Sequence, residues 1–74
     1  MTTKPLTGRR VAAILRGAGI AVLETVTMRE NETCSEMYNV DAANRAAHLL
    51  SEHGWDARVV SITGTAKHFV WVTA

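Results

Sequence analysis

The chain has 74 residues, 47% of them hydrophobic, and eight Lys or Arg against seven Asp or Glu leave a formal charge of +1. A single domain over residues 1–74 is expected, and a chain this short buries only about 60% of the surface its unfolded form exposes. The one cysteine, Cys34, excludes an internal disulfide and fits a reducing compartment. The balanced charge excludes a protein whose main task is neutralising many phosphates, while one basic patch stays compatible with it.

Residues 1–6 read as a flexible lead-in that Pro5 keeps extended. Arg9, Arg10 and Arg16 interrupt any signal-peptide core, and no stretch approaches the ~20 apolar residues of a membrane span. The expectation is a soluble cytoplasmic protein with no membrane contact. Thr7 stands where a first helix needs its N-cap. Val11, Ile14, Leu15 and Ala18 then share one face at helical spacing, with Arg9, Ala13 and Arg16 opposite, before Gly17 and Gly19 close the helix and Ile20 follows.

Residues 20–30 alternate as a strand, with Ile20, Val22, Val26 and Met28 on one face and Ala21, Leu23, Thr25 and Thr27 on the other. Glu24 breaks the apolar face, which suggests an edge position, a bulge or a partner such as Arg58. A turn at Asn31-Glu32 would set Val26 against Met37, Thr25 against Tyr38 and Leu23 against Val40; the alternative for 31–40 is an irregular connection.

The second helix is expected to start at Asp41, whose carboxylate caps the first turn, and to stop at Gly54 in the left-handed conformation. Ala42, Ala46, Leu49, Leu50 and His53 form its inward stripe, and Trp55 packs back onto Leu50. Both helices end in Leu, then Gly four residues on, then a large apolar residue; this faint echo between 10–20 and 45–55 does not by itself establish a duplication. Arg58–Ile62 and Lys67–Trp71 flank Thr63-Gly64-Thr65-Ala66 as a hairpin. A two-residue turn at Gly64-Thr65 sets Val60 opposite Phe69 and Arg58 opposite Trp71.

That hairpin is apolar on both faces: Val60, Ile62, Phe69 and Trp71 on one, Ala57, Val59, Val70 and Val72 on the other. Strands of this kind are covered twice, yet two short helices cover one side of a four-stranded sheet. A second copy of the chain is the simplest cover for the other. Val60, Ile62, Phe69, Trp71 and Arg58 are therefore the candidate interface.

Signals for chemistry are few. His48 and His53 project about 140° apart on a helix, and no paired ligand spacing joins the histidines to Cys34, so no metal or other cofactor is expected. His53 suits a helix end, where carbonyl dipoles favour an imidazolium. Cys34 lacks a flanking nucleophile motif and reads as a quiet thiol. Glu24, alone in an apolar strand, is better explained by its place in the sheet than as a general acid or base. Gly8-Arg9-Arg10 at a helix start could hold a phosphate on free N–H groups, but lacks the length and lysine of a phosphate loop. With Lys4 and Arg16, these arginines carry the alternative reading, nucleic-acid binding.

The opening Leu6-Thr7-Gly8-Arg9-Arg10-Val11-Ala12-Ala13-Ile14-Leu15-Arg16-Gly17-Ala18-Gly19-Ile20, about a fifth of the chain, resembles the start of many short uncharacterised proteins encoded by phages of actinobacteria and related accessory regions. The resemblance transfers no catalytic residues; it implies an accessory protein of a mobile element, where small proteins often bind host or defence machinery. The expected fold is α+β in the order α-β-β-α-β-β, both helices on one face of an antiparallel sheet. The expected function is non-enzymatic: a homodimeric module that binds an unidentified protein.

Overall fold

The computed structural model describes residues 5–74. Helix α1 (Gly8–Gly17) leads into strands β1 (Val22–Arg29) and β2 (Glu32–Met37); helix α2 (Val40–Glu52) leads into β3 (Asp56–Ser61) and β4 (His68–Thr73). The four strands form one antiparallel sheet in the order β1-β2-β4-β3, so β1 and β3 are its edges. Both helices pack on the same face. Between them and the sheet, Val11, Leu15, Ala43, Ala46, Leu50, Met37, Val70 and Val72 are completely buried, with Leu6, Ile20 and Trp55 at the margins.

Local chemistry fixes the helix ends. Thr7 is extended, and its Oγ1 accepts from the Arg10 N–H at 3.2 Å. At the other end of α1, Gly19 adopts φ 74, its N–H donates to Arg16 and the Ile20 N–H donates to Leu15 at 2.9 Å. These two bonds satisfy the last carbonyls in the Schellman pattern, and only a residue that tolerates positive φ permits them. Gly54 repeats the first of these bonds at φ 91, with its N–H on Ser51, and Trp55 packs in the core with Leu50.

Several expectations are corrected. Asn39, not Asp41, caps α2: its Oδ1 accepts from the Ala42 N–H at 2.8 Å, while Asp41 lies inside the first turn, where a negative side chain favours the dipole. The buried stripe of α2 is Ala43, Ala46 and Leu50, with Ala42, Ala47 and Leu49 partly buried. His53 is exposed at the helix end, stacked on Trp55 at 5.7 Å between ring centroids. Ala18 is an exposed cap rather than a core residue. Leu6, placed by sequence in the lead-in, is part of the core.

The first hairpin forms, three residues out of the expected register: Val26 pairs with Cys34, Thr25 with Ser35 and Val22 with Met37. Asn31 takes φ 60, a conformation asparagine tolerates better than other non-glycine residues, so the chain reverses over Glu30-Asn31 rather than Asn31-Glu32. Register shifts between Val22 and Glu24 and between Thr27 and Arg29 break the simple alternation. Val22 therefore packs on the core with Thr25 and Thr27 on its side, and Val26 is sent to the opposite face. Glu24 does lie at an edge beside a bulge, but Arg58 stands on the other edge strand and cannot be its partner within the chain. The second hairpin keeps the expected register, Val60 opposite Phe69 and Arg58 opposite Trp71.

The architecture is two αββ units related by a pseudo-two-fold axis along the sheet normal. The sequence offset that carries Gly19 to Gly54 also carries buried Gly8, Val11, Leu15, Ile20, Ser35 and Met37 onto buried Ala43, Ala46, Leu50, Trp55, Val70 and Val72. The central strands obey it as well. Ser35 pairs with Val70 at the axis, and the pairs Thr33–Val72 and Met37–His68 exchange across it. The echo in the helix ends is thus the visible part of a repeat in the fold.

Candidate interaction face

One face of the sheet carries the helices; the other carries nothing among the described residues. Strand alternation sorts the side chains. Val59, Val70 and Val72 point to the helices, so Arg58, Val60, Phe69 and Trp71 point away. On β2 the same parity puts buried Thr33, Ser35 and Met37 inward and Glu32, Cys34 and Glu36 outward. Two rows cross the open face: Val26–Cys34–Trp71–Arg58, and beside it Glu24–Glu36–Phe69–Val60. Val26, Met28 and Val60 are 43–48% exposed, and Ile62, just past the end of β3, is 45% exposed. They form one contiguous apolar patch rather than scattered surface hydrophobics.

The sequence placed Val60, Phe69, Trp71 and Arg58 on one face, and the structure brings them together with Ile62 at the border. It adds Val26, Met28, Cys34 and the two glutamates, which sequence reasoning missed because the β1 alternation changes phase at the bulges. Glu24, Val26, Met28, Cys34, Glu36 and Phe69 line a shallow depression of about 100 Å3.

Polar groups on this face are unevenly satisfied. The Trp71 indole N–H donates to Glu32 Oε2 at 3.0 Å, and Arg29 lies 3.7 Å from the same carboxylate. Arg58 reaches Asp56 at 3.4 Å in a solvent-exposed pair, a contact that is weak in water. Glu24 and Glu36 stand directly opposite each other, and neither belongs to an ion pair among the described residues. Burial, and then the Glu36 carboxylate, push the Cys34 thiol above its ordinary pKa. Both effects disfavour the thiolate, the form a nucleophile would need.

The basic reading maps to the other side. Arg9, Arg10 and Arg16 are exposed on α1, and Thr7, Arg9, Arg10, Ala13 and Ile14 line an open groove of about 440 Å3; Lys4 lies outside the described residues. The start of α1 is already occupied by its own protein. Gly8 N–H donates to Thr27 Oγ1 at 3.0 Å, Arg10 N–H to Thr7 Oγ1 and Val11 N–H to the Thr7 carbonyl. Of the first amides only Arg9 N–H is left to an anion, so the phosphate cradle suggested by Gly8-Arg9-Arg10 is not formed.

The histidines are dispersed: His48 beside Glu52, His53 on Trp55 and His68 hydrogen-bonded to Ser61 at 2.8 Å. Among the described residues, no three of His, Cys, Asp and Glu gather as metal ligands, and no helix is long and apolar enough to cross a membrane. Comparison of the chain with protein-family models, with curated proteins and with solved structures gives no match.

Proposed function

We propose that the protein is a non-enzymatic binding module that works by protein–protein contact through the open face of its sheet. One observation carries this reading: a four-stranded face, apolar across Val26, Cys34, Phe69, Trp71 and Val60, has no covering element among the described residues. Aromatic and arginine side chains at its centre and edge are the types in which interfaces concentrate their energy. The resemblance of its opening to accessory proteins of phages and mobile elements supports a cytoplasmic role against host or defence machinery.

The test is affinity capture from a bacterial lysate with three baits: the native chain, Val60→Glu with Ile62→Glu on the open face, and Arg9→Glu with Arg16→Glu on α1. The captured proteins should be lost with the first pair of substitutions and kept with the second. Retention by both variants would refute the reading. The second reading, nucleic-acid binding, rests on the exposed Arg9, Arg10 and Arg16 of α1. It requires affinity for DNA or RNA that falls steeply with salt, and absence of binding at low salt eliminates it.

A further inference from the structure

Resting on that reading, we infer that in the free protein the occupant of the open face is a second copy of this chain, stacked sheet on sheet about a two-fold axis parallel to the strands, with Arg58 of each copy set against Glu24 of the other. The inference comes from how charge is distributed over a face that is otherwise apolar. The β1–β2 half carries Glu24, Glu32 and Glu36, with Arg29 paired to Glu32, and the far edge strand β3 carries Arg58 beside Asp56; the carboxylates left without a cation are Glu24 and Glu36. Within one chain, three strand spacings, about 14 Å, separate those edges. Glu24 and Glu36 face one another without a cation, while Arg58 has only an exposed carboxylate neighbour that it can leave at little cost.

Two sheets stack about 10 Å apart with their strands nearly aligned. The internal pseudo-two-fold makes two in-plane dimer axes equivalent for the backbone, and the charges choose between them. An axis perpendicular to the strands lays β1 on β1 and gathers the glutamates of both copies. An axis along the strands lays β1 over β3. It sets Val26 beneath Arg58, Cys34 beneath Trp71 and Glu36 beneath Phe69 of the second copy. Arg58 then stands one row from the uncompensated Glu24 on one side and one row from Arg29, which is paired with Glu32 and laid over Asp56, on the other; symmetry makes each contact twice. Opposed charges arranged in this way fix register and suppress wrong pairings.

The experiment is sedimentation equilibrium of the full chain and of two reversals, Glu24→Arg and Arg58→Glu, with circular dichroism to confirm that each is folded. The native chain should sediment at twice its monomer mass at tens of micromolar. Each reversal alone should weaken association about tenfold or more, because both symmetric contacts become repulsive. Mixed in equal amounts, the two variants should form a heterodimer with native affinity, since every Arg then meets a Glu. A native chain that is monomeric at about 100 µM, or a mixture that stays monomeric while the native chain dimerises, overturns the inference. A monomer that still loses its captured proteins on Val60→Glu with Ile62→Glu would leave the open face functional and assign it to a different protein, so the two claims fail separately.

Discussion

The pairing of Glu24 with Glu36 gives the sharpest test of the first hairpin. Directly opposite residues of an antiparallel pair hold their Cβ atoms about 5 Å apart. Two carboxylates about 6 Å apart then repel by about 0.7 kcal/mol at the dielectric of water, and by more where neighbouring apolar side chains exclude solvent. Glu36 is half-buried beside Cys34 and Phe69, so about 0.5–1 kcal/mol of native-state repulsion is expected. Glu24→Gln and Glu36→Gln should each stabilise the domain by that amount, raising Tm by about 2–8 °C for a chain of this size. The doubly substituted chain should gain little beyond either single change. Urea denaturation of the four proteins, at dilutions where association does not contribute, measures the coupling; repeating it in 1 M salt should shrink the coupling markedly. A coupling below about 0.2 kcal/mol, or one insensitive to salt, would refute the register. The register that a turn at Asn31-Glu32 would impose places Asn39 opposite Glu24 and expects no coupling.

Two further outcomes follow from the caps and the thiol. Asn39→Ala should cost about 1 kcal/mol by loss of the bond to Ala42 N–H, whereas Asp41→Ala should cost about 0.3–1 kcal/mol through the dipole alone; urea midpoints with an unchanged m-value report both, and a larger loss at Asp41 would return the cap to that residue. The Cys34 thiol, with its folded pKa raised, holds its proton when the unfolded thiol has lost it. Its stabilising effect is therefore complete below about pH 8.5 and is lost as pH rises through the higher folded value. The native chain should accordingly lose stability relative to Cys34→Ser above that pH, and parallel stability profiles from pH 8 to 10 would count against the buried thiol.

How much of this was legible in the chain depended on whether local signals were complete. The second hairpin was readable because Gly64 supplies the positive φ of its turn and the flanking strands carry no bulge. The helix stops were readable because glycine followed by a large apolar residue has few other uses. The first hairpin misled because either Asn31-Glu32 or Glu30-Asn31 can reverse the chain, and only packing of Met37 into the core selects between them. For the same reason the open face was half legible: Val60, Phe69 and Trp71 follow from simple alternation, while Val26 and Cys34 required the bulges to be known. The cap of α2 was missed because Asn39 and Asp41 both precede the apolar stripe, and an aspartate in the first turn resembles a cap in sequence.

The repeat explains why an apolar face of this extent is left uncovered. Each αββ unit supplies one helix, and both helices fall on the same side because the axis that relates the units runs along the sheet normal. Such an axis cannot carry either helix across the sheet, so the two units leave the second face uncovered among the described residues. The units diverge where that face is concerned. The inner strand of the first presents Glu32, Cys34 and Glu36, and that of the second presents Phe69 and Trp71, with Arg58 beside them. On the helix side the correspondence is kept at six buried positions, from Gly8 with Ala43 to Met37 with Val72, though buried Leu6 and Thr33 fall on exposed Asp41 and half-buried His68. Core packing constrains both copies of a repeat alike, since each helix must fill the same gap above its strands. The open face is under no such constraint. A half that carries Glu24 and Glu36 without a cation, set against one that carries Phe69, Trp71 and Arg58, complements itself only when the face meets its own copy with the halves exchanged, which is the arrangement inferred above for a second copy.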